Sequence, residues 1–122
     1  MGKSKPSVER YVALMKSREY TSALGVLDAL LDEFPEVALS WRARCGCLFE
    51  LSRFDEAIEA FQRAYDLGVP GTEEVLLWKA FCYQNSGQKS KAEVLVEQII
   101  QSESDDVRRA RAQEVLIAFQ ST

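Results

Sequence analysis

The chain has no histidine. That single absence removes imidazole acid/base catalysis, Ser-His-Asp and Cys-His nucleophile arrangements, and histidine metal sites. It also lacks any apolar run approaching the roughly 20 residues that span a bilayer, so membrane insertion is not expected. Positive charge is in deficit: 15 Lys and Arg against 19 Asp and Glu give a net charge of −4 in 122 residues. The sequence-independent attraction to phosphate that drives most nucleic-acid binding is missing, and no nucleic-acid partner is expected. The densest basic group, Arg108, Arg109 and Arg111, follows Glu103, Asp105 and Asp106 and reads as a locally balanced helix surface.

Cysteine is scarce and odd in number, with Cys45, Cys47 and Cys82 only. Without a secretory signal this points to a reducing, cytoplasmic setting. Cys45 and Cys47 stand two apart, and on a helix such residues diverge, so they read as buried structural thiols rather than a metal site. No metal and no cofactor is expected. Carboxylates close in sequence, such as Asp55, Glu56 and Glu59, lie on a solvated helix face without an evident pocket, and the chain is not expected to be an enzyme.

What the sequence does contain is a repeat. The stretch RFDEAIEAFQRAYDLGVP, residues 53–70, places Ala57 and Ala64 among bulky apolar residues. Ala57 has counterparts 34 residues earlier in Ala23 and 35 later in Ala92. Leu27, Phe61 and Val96 form one column, Leu30, Ala64 and Ile99 a second, and Leu31, Tyr65 and Ile100 a third. Upstream, Tyr11, Cys45 and Ala80 align, then Ala13, Cys47 and Cys82, then Leu14, Leu48 and Tyr83. A period near 34 built of two helix-like halves marks a stacked array.

The pattern predicts helix pairs at about 7–17 with 20–33, 37–51 with 54–67, and 73–86 with 89–103, then a last helix at about 105–120. Pro35 and Pro70 close their pairs, Gly68 and Gly87 suit left-handed helix ends, and Thr72, with Glu73 and Glu74, suits an N-terminus. The chain therefore reads as all-α: a right-handed superhelical array of antiparallel helix pairs, about seven helices. A solvated tail, residues 1–6, precedes a single domain at 7–120, with repeats at about 4–37, 38–72 and 73–106 and a capping helix whose apolar side carries Val107, Ala110, Ala112, Val115, Leu116 and Phe119.

These columns resemble the tetratricopeptide repeat (TPR) family. Trp41, Leu48, Phe54, Ala57, Phe61 and Ala64 match its pattern best. Leu14, Tyr20, Ala23, Leu27, Leu30 and Pro35 match in the first repeat, and Ala80, Tyr83, Gly87, Ala92 and Ile99 in the third. Arg10, Arg44 and Lys79 stand where the family has leucine; either they form a basic ladder or, the favoured expectation, their stems pack while their heads reach solvent or a carboxylate.

The resemblance implies a concave groove lined by the first helix of each pair, and function in the groove rather than in chemistry. At the positions where relatives grip the acidic tails of heat-shock chaperones, this sequence has Val8, Val12, Ala43, Glu74 and Trp78, so carboxylate-clamp binding is not expected. What the groove would offer is apolar: Val8, Val12, Leu77, Trp78 and Phe81 around a small floor at Gly46, with Arg42 as one cation. Such a surface suits an apolar or amphipathic segment of a partner protein, with Trp78 and Phe81 as anchors. Two alternatives stay open. Small acidic three-repeat proteins resemble the chaperones of bacterial type III secretion; and the surface could instead be covered by the last helix or by a second copy in a homodimer.

Overall fold

The computed structural model describes residues 7–70 and 72–121, the side chains of residues 72–75 excepted. Seven α-helices follow in order: α1 (Val8–Lys16), α2 (Tyr20–Glu33), α3 (Ala38–Glu50), α4 (Phe54–Asp66), α5 (Thr72–Asn85), α6 (Lys89–Ser102) and α7 (Asp106–Gln120). Every boundary lies within a residue or so of the sequence expectation. The tail at residues 1–6 and the capping expected of Thr72, Glu73 and Glu74 lie outside what is described.

One local device closes each pair. After α1, the backbone N–H groups of Ser17, Arg18 and Glu19 donate to the carbonyls of Ala13, Met15 and Leu14; after α3, those of Leu51, Ser52 and Arg53 donate to Cys47, Phe49 and Leu48. After α5, Ser86, Gly87 and Gln88 donate to Cys82, Gln84 and Tyr83. The middle residue is left-handed each time, with φ of 62° at Arg18, 58° at Ser52 and 82° at Gly87. These bonds satisfy helix-end carbonyls that would otherwise be orphaned, and they reverse the chain in three residues. Gly87 was legible as such an end; Arg18 and Ser52 hold the same conformation against the Cβ penalty.

The chain forms two compact units, residues 1–69 and 70–122. In the first, α1 packs on α2, α2 on α3 and α3 on α4. Its core takes Ala23, Leu24, Val26, Leu27 and Leu31 from α2, Cys45, Cys47 and Leu48 from α3, and Ala57, Ala60, Phe61 and Ala64 from α4. The two alanines that mark the repeat, Ala57 and Ala64, are fully buried. A methyl-sized side chain there lets helix backbones close up. Phe49 and Phe54 meet edge to face, ring centroids 5.6 Å apart, where α3 turns into α4.

The columns hold with two exceptions. Tyr65 is exposed, tilted against Phe61 at 5.9 Å instead of filling a gap between helices. Ala13 is exposed, and α1 contains no fully buried residue, because an end helix is packed from one side only.

In the second unit α5 packs on α6 and α6 on α7. Ala80, Ala92, Val96, Ile99, Ala112 and Phe119 form its core, with Leu76, Leu77, Tyr83, Leu95, Val115 and Leu116 packed around them. The cap registers on Ala112, Val115, Leu116 and Phe119, a single stripe at i, i+3, i+4 and i+7. Val107 and Ala110 fall on the opposite side of that stripe and are exposed, a correction to the apolar side read from sequence.

Asp105 caps α7 by accepting from the backbone N–H of Arg108 at 2.9 Å, and Ser7 caps α1 by accepting from Arg10 at 3.1 Å. Arg109 ties the turn together: its guanidinium donates to the carbonyl of Glu103 at 2.7 and 3.1 Å and pairs with Asp106 at 3.1 Å. Of the basic cluster in the sequence, Arg109 thus serves the α6–α7 corner.

Candidate functional site

The candidate groove residues lie on the first helix of each pair, and each unit presents its own share. On α1, Val8 and Val12 sit one turn apart and both are exposed. On α3, Arg42 is half-buried, and Gly46 is buried, so it offers no open floor to a ligand. On α5, Trp78 is 39% and Phe81 36% exposed, while the intervening Ala80 and the following Cys82 are buried completely. The helix thus buries its small residues Ala80 and Cys82 and leaves the rings of Trp78 and Phe81 partly exposed.

Leu77 belongs to the periphery of the second core, not to an open surface. Phe81 is shared: its ring meets that of Phe119 on α7 edge-on, with centroids 5.5 Å apart and an interplanar angle of 87°. The capping helix therefore reaches the edge of the α5 aromatic face without covering it. Near the end of α5, Asn85 donates to the carbonyl of Phe81 at 2.8 Å.

Of the cations in the leucine column, Arg44 reaches Asp28 of α2 at 2.8 Å as expected and Arg10 is exposed, whereas Lys79 places its ammonium 5.8 Å from the centre of the Tyr83 ring. Lys91 approaches the same ring at the same distance. Of the neighbouring carboxylates on α4, Glu56 is held by both nitrogens of a fork from Arg53, at 2.9 and 2.7 Å; this hydrogen bonding lowers its pKa. Glu56 is thereby structural.

The three thiols are buried. Burial pushes the Cys47 thiol from 9.0 up to about 11, with Asp28 and Glu50 adding to the rise. Burial also raises the Tyr11 hydroxyl, with a smaller contribution from Cys47. A thiol held neutral in this way is a packing group, not a nucleophile.

Sequence reading did not single out a cleft of about 790 Å³ in the first unit, bounded by α2, α3 and α4. Trp41 lies in it, its indole N–H donating to the carbonyl of Pro35 at 2.7 Å. Asp28, Asp32, Glu59 and Asp66 line it beside Arg44 and Arg63. Helical spacing puts Asp28 with Asp32 on one face of α2 and Glu59 with Asp66 on one face of α4, but it does not set those faces beside Trp41, which was absorbed by its place in the repeat pattern. Among the described residues no helix is long and apolar enough to cross a membrane.

Two family models, both of the tetratricopeptide repeat, match residues 12–68 and 48–115. No curated protein matches the chain by sequence. Among solved structures, the fold is similar to the Yersinia enterocolitica type III secretion translocator chaperone SycD. The TM-score is 0.77 at 16% identity, over 98% of this chain and 87% of that one. SycD in complex with a peptide of the translocator YopD gives 0.78 at 16% identity over 92% and 88%. PcrH in complex with the chaperone-binding region of PopD gives 0.76 at 16% identity over 98% and 96%. The helix pairs, the repeated turn and the buried alanine columns agree with both family models, and the chain belongs to the tetratricopeptide repeat family.

Proposed function

We propose that this protein is a non-enzymatic, cytoplasmic protein-interaction module that takes an apolar or amphipathic segment of a partner protein. The observation that carries the reading is the α5 face, where Trp78 and Phe81 stand more than a third exposed on a helix whose other apolar residues, among those described, are buried or packed against the core. Large aromatic side chains left half open next to a packed core are what hot-spot anchors require: much apolar area, little freedom to lose. Val8 and Val12 add a second, aliphatic patch on α1. Arg42, on α3 of the first unit, is the one cation among the proposed binding residues.

Within this reading a chaperone role has specific support. Two of the solved relatives hold a peptide of YopD or the chaperone-binding region of PopD, and each spans nearly the same length as this chain. A chaperone that keeps an apolar segment of an export substrate out of water needs no catalytic group, in keeping with a structural Glu56 and a buried, inert Cys47. Homodimerisation through the same apolar residues is the competing occupant.

Selection from a displayed peptide library, followed by titration of the enriched peptides, tests the proposal. Enriched sequences should carry apolar residues at helical or alternate spacing, and Trp78→Glu should abolish their binding. Enrichment of charged sequences, or binding indifferent to Trp78→Glu, would sink it. A concentration-dependent dimer that dissociates on the same substitution would favour the second copy.

A further inference from the structure

We infer that the cleft around Trp41 is a second binding site, for a lysine- or arginine-bearing segment of a partner protein, independent of the apolar faces on α1 and α5. Its lining sets four carboxylates, Asp28, Asp32, Glu59 and Asp66, against two guanidinium groups, Arg44 and Arg63. The local balance is therefore two negative charges in excess. Not all of that charge is spent internally. Asp28 is taken by Arg44 at 2.8 Å and Asp66 accepts from Gln62 at 2.9 Å, but Asp32 and Glu59 take no ion-pair or hydrogen-bond partner among the described residues. These two come from different walls, Asp32 from α2 and Glu59 from α4.

The indole supplies the second half of the chemistry. Its N–H is spent on Pro35, which fixes the ring, and its face already draws a cation: the Arg63 guanidinium lies 5.8 Å from the ring centre. That distance is at the outer limit of a cation–π contact, so the ring face is only loosely occupied. A fixed indole flanked by unpaired carboxylates is the arrangement that attracts an ammonium or guanidinium head and lets its methylene stem lie on the ring. An anionic ligand would meet a net negative wall, and a purely apolar one would strand the carboxylates. Charge complementarity selects the basic segment.

The site is separate from the proposed apolar anchors. At about 100° per residue, Trp41 and Arg44 lie on nearly the opposite side of α3 from Arg42 and Gly46. The cleft therefore does not draw on the Arg42 side of α3, and none of its lining residues belongs to the proposed apolar anchors.

The probe is an acetylated, amidated pentapeptide of sequence Gly-Arg-Gly-Lys-Gly, titrated into protein carrying Trp78→Phe, in which Trp41 is the sole tryptophan and reports by fluorescence. Saturable change is expected at about 150 mM salt. Asp32→Asn with Glu59→Gln should weaken binding on the order of fivefold to tenfold, the reach of two partly exposed charge pairs. These residues are exposed, and the far-UV circular dichroism should be unaltered. The paired control, Glu9→Gln with Glu114→Gln, removes the same net charge elsewhere and should leave affinity unchanged. No saturable signal, equal weakening by both pairs, or full affinity in the cleft variant would each overturn the site, without bearing on the Trp78 face.

Discussion

Phe81 and Phe119 meet edge-on at 5.5 Å, one ring on the open face of α5 and the other in the core of the second unit. Phe81 is thus both an anchor candidate and a brace for the capping helix. Phe81→Ala should lower stability by on the order of 1–2 kcal/mol through lost area and the lost aromatic pair. A denaturant titration followed by helical signal checks this. An unchanged midpoint would mean that the two rings do not support each other.

Two glycines should respond to alanine in opposite directions. Gly25 lies inside α2, and a Cβ built there meets nothing within 4 Å, so Gly25→Ala should stabilise by about 0.5–1 kcal/mol through helix propensity. Gly87 has equally open space but a φ of 82°, so Gly87→Ala should cost on the order of 1–2 kcal/mol in backbone strain. Thermal melts of the two variants give the comparison directly. Shifts of the same sign would contradict the helix-end geometry.

Those glycines also show how much was legible. Helix pairs, repeat register and cap could be read because alanine and bulky apolar residues recur at fixed spacing and because Gly87 needs its left-handed backbone. The turns at Arg18 and Ser52 could not: they reuse the same hydrogen bonds with residues that carry no signal of positive φ. The candidate site was legible only in part. Trp78 and Phe81 project from α5 as helical spacing says, but spacing does not reveal that Gly46 is enclosed, that Leu77 joins the core, or that Phe119 arrives from far along the chain to touch Phe81. The acidic cleft was overlooked because its carboxylates come from separate helices, and only the packing of α2, α3 and α4 brings them to Trp41.

Close packing at Ala57 sets a third expectation. The residue is fully buried on α4, which packs on α3. Ala57→Leu should destabilise by about 1–3 kcal/mol through overpacking. A chemical denaturation midpoint close to that of the unaltered protein would show that the helices have room to spare.

Stability should fall in alkali for a reason traceable to Cys47. Its thiol pKa is raised in the fold from 9.0 to about 11, so the native state favours the protonated form. The contribution is complete below about pH 9 and is lost as pH rises toward about 11. Tyr11, raised in the same direction, acts in the same sense. Urea titrations at stepped pH should show the unaltered protein losing more stability across this window than Cys47→Ala does. Parallel losses would remove Cys47 from the account.

The central claim is that the open aromatic face of α5 holds an apolar segment of a partner. The most direct measurement is calorimetric titration of a library-selected apolar peptide into the unaltered protein and into Trp78→Glu, with helical content followed in parallel. Saturable one-to-one binding that disappears in Trp78→Glu while the helical signal is retained is the predicted result. Undiminished affinity in that variant would contradict it.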